Sequence, residues 1–144
     1  MTTHWLHGAG LLLVAGCSSG GGGSATPVAS SAEAVSAFMR AAADSNLTRM
    51  AELWGTASGP ADRTQLNDKR LTVLQVYLKG DSTRVLADEP VTGSSNQRRV
   101  SIALYRGSCV KQFPVFTVRL GDGGWIVQNV NIELAGNPAR PCEP

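Results

Sequence analysis

The chain has 144 residues, of which 42% are hydrophobic and 17% charged, the latter below the roughly 25% of an average domain. That apolar share supports an ordinary core and fits neither global disorder nor a membrane-spanning protein. Thirteen Lys plus Arg against eleven Asp plus Glu leave a formal charge of +2, too slight to imply nucleic acid or an anionic surface as partner.

Residues 8–16, Gly-Ala-Gly-Leu-Leu-Leu-Val-Ala-Gly, form an apolar run of nine, too short for a bilayer, which needs about 20. The run suits the hydrophobic region of an export signal. Val14-Ala15-Gly16-Cys17 then resembles the lipobox of bacterial lipoproteins. The resemblance implies that residues 1–16 are a signal peptide, that Cys17 becomes the diacylated N-terminus (the palmitate type of anchor), and that the new amine can be acylated too. Two or three acyl chains anchor stably where one does so only marginally. The address implied is the bacterial cell envelope, either the outer membrane facing the periplasm or the outer face of the cytoplasmic membrane. By analogy with envelope sorting, Ser18 permits the former. Residues 17–29 read as the lipidated cysteine and a Gly/Ser-rich tether, because glycine keeps the most backbone freedom.

With Cys17 carrying lipid, Cys109 and Cys142 remain, an even number in an oxidising compartment. Their expected disulfide closes a loop of about 34 residues and contributes roughly 3 to 4 kcal/mol on the chain-entropy model. It pins a tail, Asn137 to Cys142, that has no periodicity of its own.

The remainder, residues 30–144, has single-domain size. Ser30-Ser31-Ala32-Glu33 fits a capping box that starts a helix. Val35, Phe38, Met39 and Ala42 recur at helical spacing behind it. Asn46 or Ser45 caps a second short helix, with Leu47, Met50, Ala51 and Trp54 inward and Gly55 as its stop. Thr56 to Pro60 reads as a loop. A third helix is predicted from Gln65 to Leu78, burying Leu71, Leu74 and either Leu78 or Tyr77, while Val73 and Val76 keep a strand open as the alternative.

From Ser82 the period becomes 2. A strand interrupted by Pro90 is predicted over Thr83 to Val91, then Arg98 to Arg106 with Val100, Ile102 and Leu104 on one face. The next strand sets Phe116, Val118 and Leu120 inward against Val115, Thr117 and Arg119, with Pro114 expected at an edge or bulge. The last, Trp125 to Leu134, groups Ile126, Val130, Ile132 and Leu134 inward, with Gln128 among them. Turns fall at Thr92 to Asn96, Gly107-Ser108 and Gly121 to Gly124. Two or three helices followed by about four hairpin-linked strands give an α+β fold, helices on one face of a curved antiparallel sheet.

Val35-Ser36-Ala37-Phe38-Met39, Met50-Ala51-Glu52-Leu53-Trp54 and Gly123-Gly124-Trp125-Ile126-Val127 resemble the nuclear-transport-factor-2-like superfamily, and within it small bacterial lipoproteins of unknown function. The resemblance implies a cone, with helices over the concave side of a bent sheet and a pocket between them. Relatives include isomerases, dehydratases, ligand carriers and dimeric adaptors, so the fold does not choose the function.

The only histidines, His4 and His7, lie in the predicted signal, so the mature chain has no material for a zinc or acid–base histidine constellation, and no cofactor is implied. Gln128 is the sharpest pocket candidate, since an unpaired inward amide is costly, with a ligand or a buried backbone group or water as its partner. Tyr77 and Trp54 are weaker candidates whose alternative is aromatic packing. Glu89 is the one strand-region acid in register with Val85, Ala87 and Val91, with an exposed turn position as its alternative. The pairs Lys69-Arg70 and Arg98-Arg99 read as solvated. These residues point to a non-catalytic binding domain for a small apolar ligand or an envelope protein. The alternatives are a histidine-free isomerase or dehydratase, or a structural dimer or assembly factor using the sheet face of Arg99, Tyr105 and Thr117.

Overall fold

The structure is a computed structural model that describes residues 27–61 and 68–144. The predicted signal, Cys17, the tether as far as residue 26 and the expected start of the third helix at Gln65 lie outside the described residues. The fold is α+β: three helices come first and pack on one face of a four-stranded antiparallel sheet. Among the described residues no helix is long and apolar enough to cross a membrane.

Helix α1 spans Ser31–Ala43 and starts where the capping box predicts, the Ser30 side chain accepting from the Glu33 amide at 3.2 Å. It buries Ala34, Val35, Phe38, Met39, Ala41 and Ala42. Ser45 takes a left-handed φ of 55°, and Asn46 then caps α2 (Leu47–Glu52) by accepting from the Arg49 amide at 3.0 Å. The expected loop after α2 is instead a small hairpin, β1 (Gly55–Thr56) with β2 (Gly59–Pro60). Glycine is required at 55 because any Cβ there would collide with the Gly59 carbonyl oxygen.

Helix α3 spans Asp68–Leu78 and buries Leu71, Leu74 and Leu78, while Val73, Val76 and Tyr77 are exposed, which removes the strand alternative. Its buried Gln75 donates to the Ala42 carbonyl and to Ser45 Oγ, both at 3.0 Å, and ties α3 to the end of α1.

Strands β3 (Ser82–Pro90), β4 (Gln97–Arg106), β5 (Cys109–Arg119) and β6 (Trp125–Val130) form a meander in sequence order. Val100, Ile102, Leu104, Phe113, Val115, Val127 and Val130 meet the helices in one core. Two bulges change which side chains face it. The first lies between Val85 and Ala87, so the acid that turns toward the helices opposite Val100 is Asp88, and Glu89 pairs with Arg99 on the open face. The second sets Phe116 opposite Asn129 and Thr117 opposite Val127, leaving Gln128 as the extra residue.

The expected faces change in the last two strands, in β6 because of its bulge and in β5 because apolar residues occupy both of its faces. Phe113, Val115 and Thr117 form the inward set of β5, and Phe116 and Val118 lie on the opposite face, the reverse of expectation. Thr117 has no exposed surface, so it does not share the open face with Arg99 and Tyr105. Strand β6 stops at Val130, and Ile132–Ala135 form a 3₁₀ turn that leaves Leu134 exposed. Pro114 sits inside the central strand β5. The Arg119 amide donates to the Asn96 carbonyl on the β4 side, so by alternation the position of Pro114 points its nitrogen toward β6. Pairing with β6 ends at Val115 opposite Val130, one residue earlier, so the missing N–H costs no ladder bond.

Candidate functional site

The space between helices and sheet is filled by side chains. Val35, Phe38, Met50, Leu78, Ile102 and Val115 have no exposed surface. Trp54 belongs to this core, its ring stacked on Phe38 with centroids 5.6 Å apart. Gln128 lies on the other face, accepting from Gln97 Nε2 at 2.9 Å, and Tyr77 stands exposed on α3. The three predicted pocket residues are thus not brought together, and Gln128 does not lie between the helices and the sheet. The bulge that carries it is invisible to a strict alternation of faces.

The inward row of β4 is Arg98, Val100, Ile102, Leu104, Arg106, with an arginine at each end. At one end Arg98 Nε donates to Asp88 Oδ1 at 2.6 Å, and Ser31 Oγ at the start of α1 donates to the same carboxylate. Arg98 is therefore held in a partly buried network, whereas Arg99 meets Glu89 in solvent as an ordinary surface pair.

At the other end Arg106 donates to three backbone carbonyls: Tyr77 and Lys79 at the end of α3, and Ala135 at the end of the 3₁₀ turn. These are helix-terminal acceptors that the helix itself leaves unpaired. Burial lowers the Arg106 pKa from its ordinary value, yet a guanidinium remains charged at neutral pH.

Beside this clamp lies a cleft of about 690 Å³, lined by Ser45, Gln75, Val76, Lys79, Gly80, Asp81, Arg106, Gly107, Pro138 and Pro141. Val76 and the two prolines supply apolar walls, and Lys79 and Arg106 bring positive charge against one acid. That acid, Asp81, is exposed and accepts from the Gly107 amide at 2.6 Å. Gly80 is fixed by crowding, since a Cβ there would lie 2.8 Å from the Tyr105 carbonyl oxygen.

The proline wall belongs to the C-terminal tail. Cys109 and Cys142 stand at disulfide distance as expected, with Cα atoms 5.2 Å apart, and Lys111 Nζ donates to the Glu143 carbonyl nearby. Among the described residues no group of three or more His, Cys, Asp or Glu could hold a metal ion. No protein-family description, curated protein or solved structure matches the chain. Function therefore has to come from these surfaces.

Sequence reasoning missed Asp88, Arg106, Lys79 and the prolines. For Arg106 a signal was present: a cation two positions beyond Leu104, in register with three inward aliphatic residues, must find acceptors. For the cleft there was none, because it joins α3 to a tail 60 residues away in sequence.

Proposed function

We propose that the chain is a lipid-anchored protein of the bacterial cell envelope, held at Cys17, whose domain is a non-catalytic binding module. Its ligand is a small apolar molecule with one acidic group. The observation that carries this reading is the cleft of about 690 Å³, in the size range of small-molecule sites, with Val76, Pro138 and Pro141 beside Lys79 and Arg106. The apolar walls favour a hydrocarbon body. The cationic excess over Asp81 favours an anionic end, with the exposed Lys79 ammonium free to swing toward it from Ser45 Oγ, 3.4 Å away.

The α+β order agrees with what the nuclear-transport-factor-2-like resemblance implies. The ligand site is proposed at the end of the sheet because the central space is occupied by Phe38, Met50 and Trp54. The cysteine pair at disulfide distance supports an oxidising compartment.

Fractionation tests the anchor. The wild-type chain is expected in membranes and the Cys17→Ser variant in the soluble fraction, and a membrane-bound Cys17→Ser protein would contradict lipidation as the tether.

A further inference from the structure

A second concave surface, of about 490 Å³, is lined by Gln97, Phe116, Gln128 and Asn129 of the sheet and by Arg70 near the start of α3. Its lining chemistry differs from that of the cleft: three planar amides, one half-buried aromatic ring and one cation. Gln97 Nε2 donates to Gln128 Oε1 at 2.9 Å, which orients both amides. After that bond is made, Gln97 still holds an acceptor oxygen and a second N–H, and Gln128 both of its N–H groups. The exposed Asn129 adds a further donor and acceptor beside them.

The β6 bulge brings these groups together. Two β6 residues, Gln128 and Asn129, oppose the single step from Phe116 to Thr117, so both amides border the Phe116 ring. A regular strand would turn one of them toward the core.

We infer that Gln97, Gln128 and Asn129 around Phe116 form a saccharide-binding site, with Arg70 at its rim favouring sugars that carry a carboxylate. Each sugar hydroxyl is at once donor and acceptor, and a pair of neighbouring hydroxyls matches the paired donor and acceptor of a planar amide. The aromatic ring offers an apolar surface to the C–H face of a pyranose. An apolar ligand would leave the amides unpaired. A nucleic acid would need far more positive charge than a formal +2. The site is separate from the cleft in both position and ligand, so it stands or falls independently of the reading given above.

The test is a titration of the isotopically labelled full chain in detergent micelles, following side-chain amide resonances. The probes are an N-acetylglucosamine tetrasaccharide and a galacturonic acid tetrasaccharide. Saturable shifts of the Gln97, Gln128 and Asn129 side-chain amides are expected at millimolar sugar, with the uronate tighter in wild type and losing that advantage in Arg70→Ala. Phe116→Ala and Gln128→Ala are each expected to weaken binding by roughly tenfold or more. Asn129→Ala changes an exposed side chain and keeps the test valid if the half-buried substitutions unfold the domain. The absence of saturable shifts with both probes would overturn the proposal. So would shifts that persist unchanged in folded Asn129→Ala and Gln128→Ala proteins.

Discussion

Replacing both Cys109 and Cys142 with serine removes the covalent tie between β5 and the tail. The two residues are 33 apart in sequence, so the closed loop holds about 34 residues. On the chain-entropy model such a loop contributes roughly 3 to 4 kcal/mol by restricting the unfolded chain. Beyond Ala135 the tail has no helix or strand, the hydrogen bond from Lys111 to the Glu143 carbonyl links it to β5, and the exposed Arg140–Glu143 pair lies wholly within it. A tail this weakly held can fray without global unfolding, which makes the loop value an upper bound. For a domain of this size the full value corresponds to a fall in Tm of roughly 12 to 16 °C. Urea unfolding followed by the fluorescence of Trp54 and Trp125 measures the change. A loss of about 2 to 4 kcal/mol is expected, and an unchanged midpoint for the oxidised wild type and the double serine variant would refute the reasoning.

Two further changes separate buried from solvated charge. A double-mutant cycle on Asp88 and Arg98, partly buried and joined to Ser31, should yield about 1 to 3 kcal/mol of coupling. The same cycle on the half-exposed Glu89 and Arg99 should yield about 1 kcal/mol or less, and equal couplings would contradict the assignment of Asp88 to the helix-facing side. Arg106→Lys keeps the charge but not the fork that reaches three carbonyls, so a loss of roughly 2 kcal/mol is expected by urea unfolding. Full stability in that variant would mean that the clamp contributes only its charge.

The helical half of the fold was legible because its signals are local. Ser30 and Asn46 are caps whose acceptors sit within three residues of their donors, and the apolar stripe of α1 follows one unbroken period. The strands were legible in number and order, with β4 correct in register throughout. In β3 and β6 what failed was a shared physical feature, the single inserted residue. Strict alternation puts Glu89 with Val85, but the bulge after Val85 hands the inward position to Asp88. A second inserted residue, Gln128, leaves Val130 inward as expected but sends Ile126 to the opposite face beside Val118. Strand β5 pairs with β4 without any register shift, and its inward face was not legible because both of its faces carry apolar residues. Nothing local to Leu86 or Gln128 marks a bulge, since neither is a glycine. The cysteine pairing was legible by elimination, yet the cleft that the pinned tail walls off depends on a long-range meeting of Pro138 and Pro141 with Lys79 and Arg106.

The most direct measurement for the proposed binding role is native against denaturing mass spectrometry of the intact chain, purified gently in mild detergent. One additional small mass in the native spectrum, lost on denaturation and absent from Lys79→Glu protein, is the predicted result. A native mass equal to the denatured mass, or an additional mass retained by Lys79→Glu, would contradict a ligand held in the cleft.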